Sequence, residues 1–143
     1  MKRILFLLFI IVMSYYIGSL DLFTNIKQKP KQIKIIKHFK TPIDQAKGLM
    51  FVKKKLPKNS GALFDYSKNP HQLSFWMKNT YIPLDILFLD KHKKVIGLLE
   101  NMIPHSLKSK SINKIASYAI ETNAGTIKNN KINIGDIIEF VYF

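Results

Sequence analysis

The sequence predicts a mostly β fold: a small β-barrel or β-sandwich of about seven strands with one short helix, behind an N-terminal hydrophobic leader helix. Three observations carry this prediction. Short runs rich in Ile, Leu, Phe and Tyr recur between turn-forming clusters, as in an all-β domain. Only the stretch Thr41–Gly48 carries helix-capping chemistry at both ends. The first residues place two cations ahead of an unbroken apolar run. A length of 143 residues, 47% of them hydrophobic and 12% aromatic, suits one core of ordinary size.

The leader comes first. Lys2 and Arg3 precede Ile4–Met13, and the stretch ends at Leu20, so residues 1–20 have the build of a signal peptide or signal anchor. Gly18 and Ser19 have Tyr15 and Tyr16 three positions behind them, which denies a clean small-x-small cleavage site and leaves both forms open. Lys27, Lys29, Lys31 and Lys34 set more positive charge after the segment than before it. Long domains nevertheless translocate largely regardless of flanking charge. The expected location is therefore exported, either periplasmic or anchored in the inner membrane facing the periplasm.

Residues 21–31 are polar and aperiodic and read as a linker; residues 32–143 read as a single β-rich domain. Its strands are expected at Ile33–Lys40, Gly61–Tyr66, Gln72–Met77, Ile82–Asp90, Val95–Met102, Ile115–Asn123 and Asp136–Tyr142. After the first of these, Thr41 supplies an N-cap hydroxyl, Pro42 stands at N1 and Asp44 at N3. Gly48 can close the last turn in a left-handed conformation, so a two-turn helix is expected here.

Composition excludes several kinds of chemistry. With no cysteine, the chain has no disulfide and no thiolate. The histidines at 38, 71, 92 and 105 show no metal-ligand spacing, and no phosphate loop, dinucleotide fingerprint or nucleophile elbow is present. Neither a metal nor a cofactor is expected. The net charge of +14 comes almost entirely from lysine, with Arg3 the single arginine, and no nucleic-acid-binding motif accompanies it, so a nucleic-acid partner is not expected. Residues 27–58 hold eleven lysines and one acid, Asp44. Together with residues 1–20, this segment is suited to contact with an anionic membrane surface.

Gln72–Asp90, QLSFWMKNTYIPLDILFLD, is the most informative stretch. A two-residue turn at Asn79-Thr80 would set Ser74 opposite Asp85 and Phe75 opposite Leu84. Leu73, Phe75, Met77, Ile82, Leu84, Ile86 and Phe88 then share one apolar face, and Ser74, Trp76, Lys78, Tyr81, Pro83 and Asp85 share the other. An acid inside IPLDILFL must be paired or hydrated, and Lys78 is the nearest candidate in this register. The functional reading is a recognition patch in which Trp76 and Tyr81 stack on a ligand while Lys78, Asn79 and Asp85 fix its polar groups. The competing reading is a buried Asp85 that bonds backbone amides, with Trp76 as ordinary packing. Glu121, in a later strand, joins the candidate binding residues and would form a carboxylate pair with Asp85 if the fold brought the two together.

The motifs GLM at 48–50, GALF at 61–64, FWMKNTYIPLDILF at 75–88, Pro104, YAIET with AG at 118–125, and GD at 135–136 occur in the order seen in one family. The chain resembles domain-of-unknown-function family 192, also called uncharacterised protein family 0127, over nearly all of residues 33–143. The resemblance implies a compact, barrel-like β domain, often behind an export signal, with no established activity. Ala62, where methionine is common, and Thr122, where an aliphatic residue is usual, are small departures. The expected function is a non-catalytic ligand-binding or interaction module whose partner is a small molecule or envelope component. The alternative is a small envelope hydrolase using Asp85 and Glu121 as paired carboxylates.

Overall fold

The structure is a computed structural model that describes residues 12–13 and 29–142. The expected leader, apart from Val12 and Met13, and the expected linker up to residue 28 lie outside the described residues. Among the described residues no helix is long and apolar enough to cross a membrane.

The domain is mostly β, with eight strands in two sheets and two short helices. In chain order these are β1 (Lys31–Phe39), α1 (Pro42–Lys47), β2 (Ser60–Asp65), β3 (His71–Phe75), β4 (Leu84–Leu89), β5 (Val95–Met102), β6 (Lys110–Ala116), β7 (Tyr118–Asn123), α2 (Thr126–Asn129) and β8 (Ile138–Val141). Six strands form one sheet in the order β5-β4-β7-β2-β1-β8, and β3 and β6 form a two-stranded antiparallel ribbon. The β1–β2 and β1–β8 pairs are parallel. The β2–β7, β4–β7 and β4–β5 pairs are antiparallel.

The barrel expectation needs correction. The large sheet curls until its edges approach, but they join only at the Lys94–Ile137 bridge, beside the Val95 amide bonded to the Asp136 carbonyl at 2.8 Å. β8 has four residues and spends its register on β1, so nothing extends the seam and the sheet stays open.

Side-chain alternation gives the sheet two buried faces. One carries Ile33, Ile35, Leu63, Leu87, Leu89, Val95, Ile120 and Ile138, closed by Ile127 and Ile132 from the segment after β7. The other carries Ala62, Phe64, Leu84, Ile86, Phe88 and Ala119 and is covered by the ribbon through Leu73, Phe75 and Ala116. Strand β4, buried at every position, is apolar apart from Asp85 because it lies between these two layers.

The expected hairpin around Asn79 does not form. β3 pairs with β6, while β4 pairs with β5 and β7. The expected apolar face nevertheless holds: Leu73, Phe75, Met77, Ile82, Leu84, Ile86 and Phe88 all enter the same core. The turn between the strands centres on Lys78-Asn79, with the Thr80 amide bonded to the Met77 carbonyl at 3.0 Å and Asn79 at φ 53°. The expected strand Ile115–Asn123 is divided between β6 and β7, and the sequence signals β6 only weakly, because KSINKIA shows solvent almost everywhere except Ala116 and half-buried Ile112.

Candidate functional site

The site begins at α1. Thr41 caps it as its composition predicts: its hydroxyl accepts the Asp44 amide at 3.2 Å and donates to the Asp44 carboxylate at 2.6 Å. The Gln45 amide group donates to the Asp65 carbonyl at 2.8 Å, fastening the helix to the end of β2. Gly48 then ends the helix at φ 49°, ψ −128°, a conformation open essentially only to glycine. A Cβ there would stand 3.0 Å from Phe64 Cζ and 3.7 Å from Glu121 Oε2. The helix terminus therefore lies against the face of the large sheet that carries Glu121.

Glu121 is flanked by Ala62 on β2 and Ile86 on β4, with the aromatic rings of the ribbon-side core beyond. Phe64 meets Phe39 and Phe75 edge-on at centroid distances of 5.0 and 5.2 Å. The carboxyl is buried, and its Oε2 has no hydrogen-bond partner among the described residues. Burial pushes it up to about 8, so at neutral pH it is mainly the protonated acid, able to donate one hydrogen bond and accept another. Burial also raises the nearby Tyr66 phenol, with the Glu121 charge adding to that shift. Above this carboxyl is a cavity of about 320 Å³, walled by Gln45, Gly48, Phe64, Tyr66, Trp76 and Lys78.

Trp76 stands at the rim, 45% exposed, with the Lys78 ammonium 5.2 Å from its ring centroid. Trp76, Lys78 and Glu121 thus meet in one cavity, and the remaining three candidates do not join them. Asn79 sits in the turn and gives its backbone carbonyl to the Phe51 amide at 2.8 Å. Tyr81 stacks edge-on with His105 at 4.7 Å, outside the cavity.

Asp85 corrects two expectations. Its carboxylate accepts the Asn101 amide at 2.9 Å and the Ile127 amide at 3.0 Å, and Lys78 lies instead over Trp76. In the β4–β7 register Asp85 is level with Thr122, and Glu121 with Ile86. Residues adjacent on a strand point to opposite faces. The two carboxyl groups therefore lie on opposite sides of the large sheet and form no pair. The hydrolase reading built on that pair is withdrawn.

Sequence reasoning missed Gln45, Gly48 and Tyr66 as cavity residues. Gly48 was recognisable as a helix stop, but nothing local says that the helix end faces Glu121. A second cavity of about 390 Å³ shares Pro42, Gln45 and Tyr66 with the first and opens over Asp65, Lys40 and His71. Burial works to raise Asp65, but the Ser67 hydroxyl and amide, with His38 at 3.2 Å, outweigh it and hold the carboxyl below its ordinary range.

Comparison with known proteins agrees with this architecture. The family model DUF192, described as "Uncharacterized ACR", matches residues 23–140. A solved structure from Sinorhizobium meliloti 1021, described as "a putative transcription regulator", is similar with a TM-score of 0.67 and 33% identity, covering 70% of this chain and 76% of that one. A protein of unknown function from Novosphingobium aromaticivorans DSM 12444 is similar with a TM-score of 0.66 and 32% identity, covering 70% of each chain. No curated protein matches.

Proposed function

We propose, from the premise that this chain belongs to the DUF192 family, that it is an exported or membrane-tethered ligand-binding module, not a catalyst, and that its ligand seat is the cavity over Glu121. One observation carries the reading: a buried carboxyl with an unpartnered oxygen at the base of an aromatic-walled cavity. Leaving such a group unmatched costs about 1–3 kcal/mol, so a fold gains by supplying it with a polar partner from outside. The seat suits a ligand with an apolar body, which Phe64 and Tyr66 would flank, and one polar group that exchanges hydrogen bonds with Glu121. Trp76 and Lys78 at the rim would hold its outer end. Export is supported by the cations and apolar run of residues 1–20.

The test is to incubate the purified protein with an envelope extract, wash it, and identify retained small molecules by mass spectrometry. Trp76→Ala and Glu121→Gln are run in parallel, with folding of each checked by circular dichroism. A compound retained by the parent and depleted in both variants supports the seat. Equal retention by all three folded proteins overturns it.

A further inference from the structure

Three loops meet at one end of the molecule. The Phe51 amide bonds to the Asn79 carbonyl at 2.8 Å, the His105 amide to the Thr80 carbonyl at 3.1 Å, and the Met77 amide to the Ser106 carbonyl at 2.9 Å. These bonds fasten the segments 49–55, 76–83 and 103–110 into a single tip. The tip shows solvent a set of large apolar side chains: Phe51 is 59% exposed, Tyr81 44%, and Ile103 and Leu107 69% each. Isolated exposed apolar residues are ordinary, but several on hydrogen-bonded neighbouring loops mark a contact surface.

The charge on these loops has one sign. The three segments contain Lys53, Lys54, Lys55, Lys78, Lys108 and Lys110, all exposed, and no Asp or Glu. The Lys53 ammonium lies 5.6 Å from the Tyr81 ring centroid. Apolar tips ringed by lysines, with a tyrosine among them, match the two requirements of an anionic bilayer surface: a shallow apolar layer and a negative headgroup plane.

From these observations we infer that the tip formed by Phe51, Tyr81, Ile103 and Leu107 with its lysines is a docking surface for an anionic lipid bilayer. This goes beyond the proposed ligand seat and does not depend on it. The lysine-rich stretch 27–58 thereby divides. Lys31, Lys34 and Lys37 belong to β1, and Lys53–Lys55 belong to the docking surface.

The chain contains no cysteine, so one introduced thiol can be labelled uniquely. The full chain carrying Leu107→Cys and an environment-sensitive fluorophore is mixed with vesicles of phosphatidylcholine alone or with phosphatidylglycerol added. Ile134→Cys serves as the control; its residue is 64% exposed and beside Gly135, whose amide bonds to Val95 at the opposite end of β5. The label at 107 should shift to the blue on the anionic vesicles and the label at 134 should not. Because each lysine at such a surface contributes roughly fivefold in affinity, Lys53→Gln, Lys54→Gln and Lys55→Gln together should weaken the response on the order of a hundredfold. A water-exposed label at 107 on anionic vesicles, an equal shift at 134, or an equal shift on phosphatidylcholine alone would each overturn the assignment.

Discussion

The carboxylate of Asp85 accepts the backbone amide of Ile127 at 3.0 Å across 42 residues of chain. Its other oxygen takes the amide of Asn101, the residue at φ 51° where β5 carries one residue more than β4 between the Leu84–Met102 and Ile86–Leu99 pairs. One buried acid thus satisfies both the donor freed by a β-bulge and a donor in the first turn of α2, whose N-cap is a glycine that offers no side-chain bond. Both oxygens of this acid are met by backbone amides, which explains its place inside an apolar strand without any catalytic duty.

Asp85→Ala should therefore destabilise the domain by about 3–5 kcal/mol, because two buried amides lose their acceptor together. Asp85→Asn should cost about 2 kcal/mol, since its NH₂ group faces an N–H donor. Urea denaturation of the three proteins checks the order, and equal midpoints would refute the clamp.

Glu121 should make stability depend on pH. In the unfolded chain its carboxyl titrates near 4.5, and in the folded protein near 8. The folded state holds the proton more tightly, so this contribution is fully present below pH 4.5, declines as pH rises toward about 8 and is lost above that. The loss is on the order of a few kcal/mol. In Glu121→Gln the decline across this window should disappear; thermal melts taken from acid to mildly alkaline pH measure it.

Gly97→Ala should loosen the ribbon. A Cβ at Gly97 would stand 2.4 Å from Ile112 Cδ1 and 2.9 Å from Ile112 Cβ, forcing β6 away from β5 at a cost of about 1–3 kcal/mol. Pairing it with Ile112→Ala should recover part of that loss, a coupling that a double-mutant cycle reads directly.

Thr41→Ala should cost about 1 kcal/mol by removing the α1 cap. Because that helix positions Gln45 and Gly48, amide exchange at Gly48, whose N–H bonds to the Asp44 carbonyl at 2.8 Å, should quicken in the variant. Unchanged exchange would mean that the cap does not hold this wall of the cavity.

What was legible in the sequence was local. The cap at Thr41, the stop at Gly48 and the alternation from Leu73 to Phe88 each follow from a few neighbouring residues, and each is present in the fold. Pairing partners were not legible, because the strand that follows another need not lie beside it: β3 continues through a turn toward β4 yet finds β6. β6 itself hides because a two-stranded ribbon with one wet face needs little apolar sequence. The Asp85–Glu121 question fails for a related reason. Alternation assigns faces within each strand, but whether faces on two strands agree depends on register, and a shift of one residue reverses the answer.

The position of β1 constrains how the molecule can be assembled. β1 is the first strand of the large sheet to be synthesised, and it is held between β2 on one side and β8 on the other, with Lys31 level with Ile138 and Lys34 level with Val141. Its hydrogen bonds to β8 cannot close until the chain has been made through Val141. Folding therefore waits on translation, and a chain still emerging offers any export or quality-control machinery an open edge rather than a finished body.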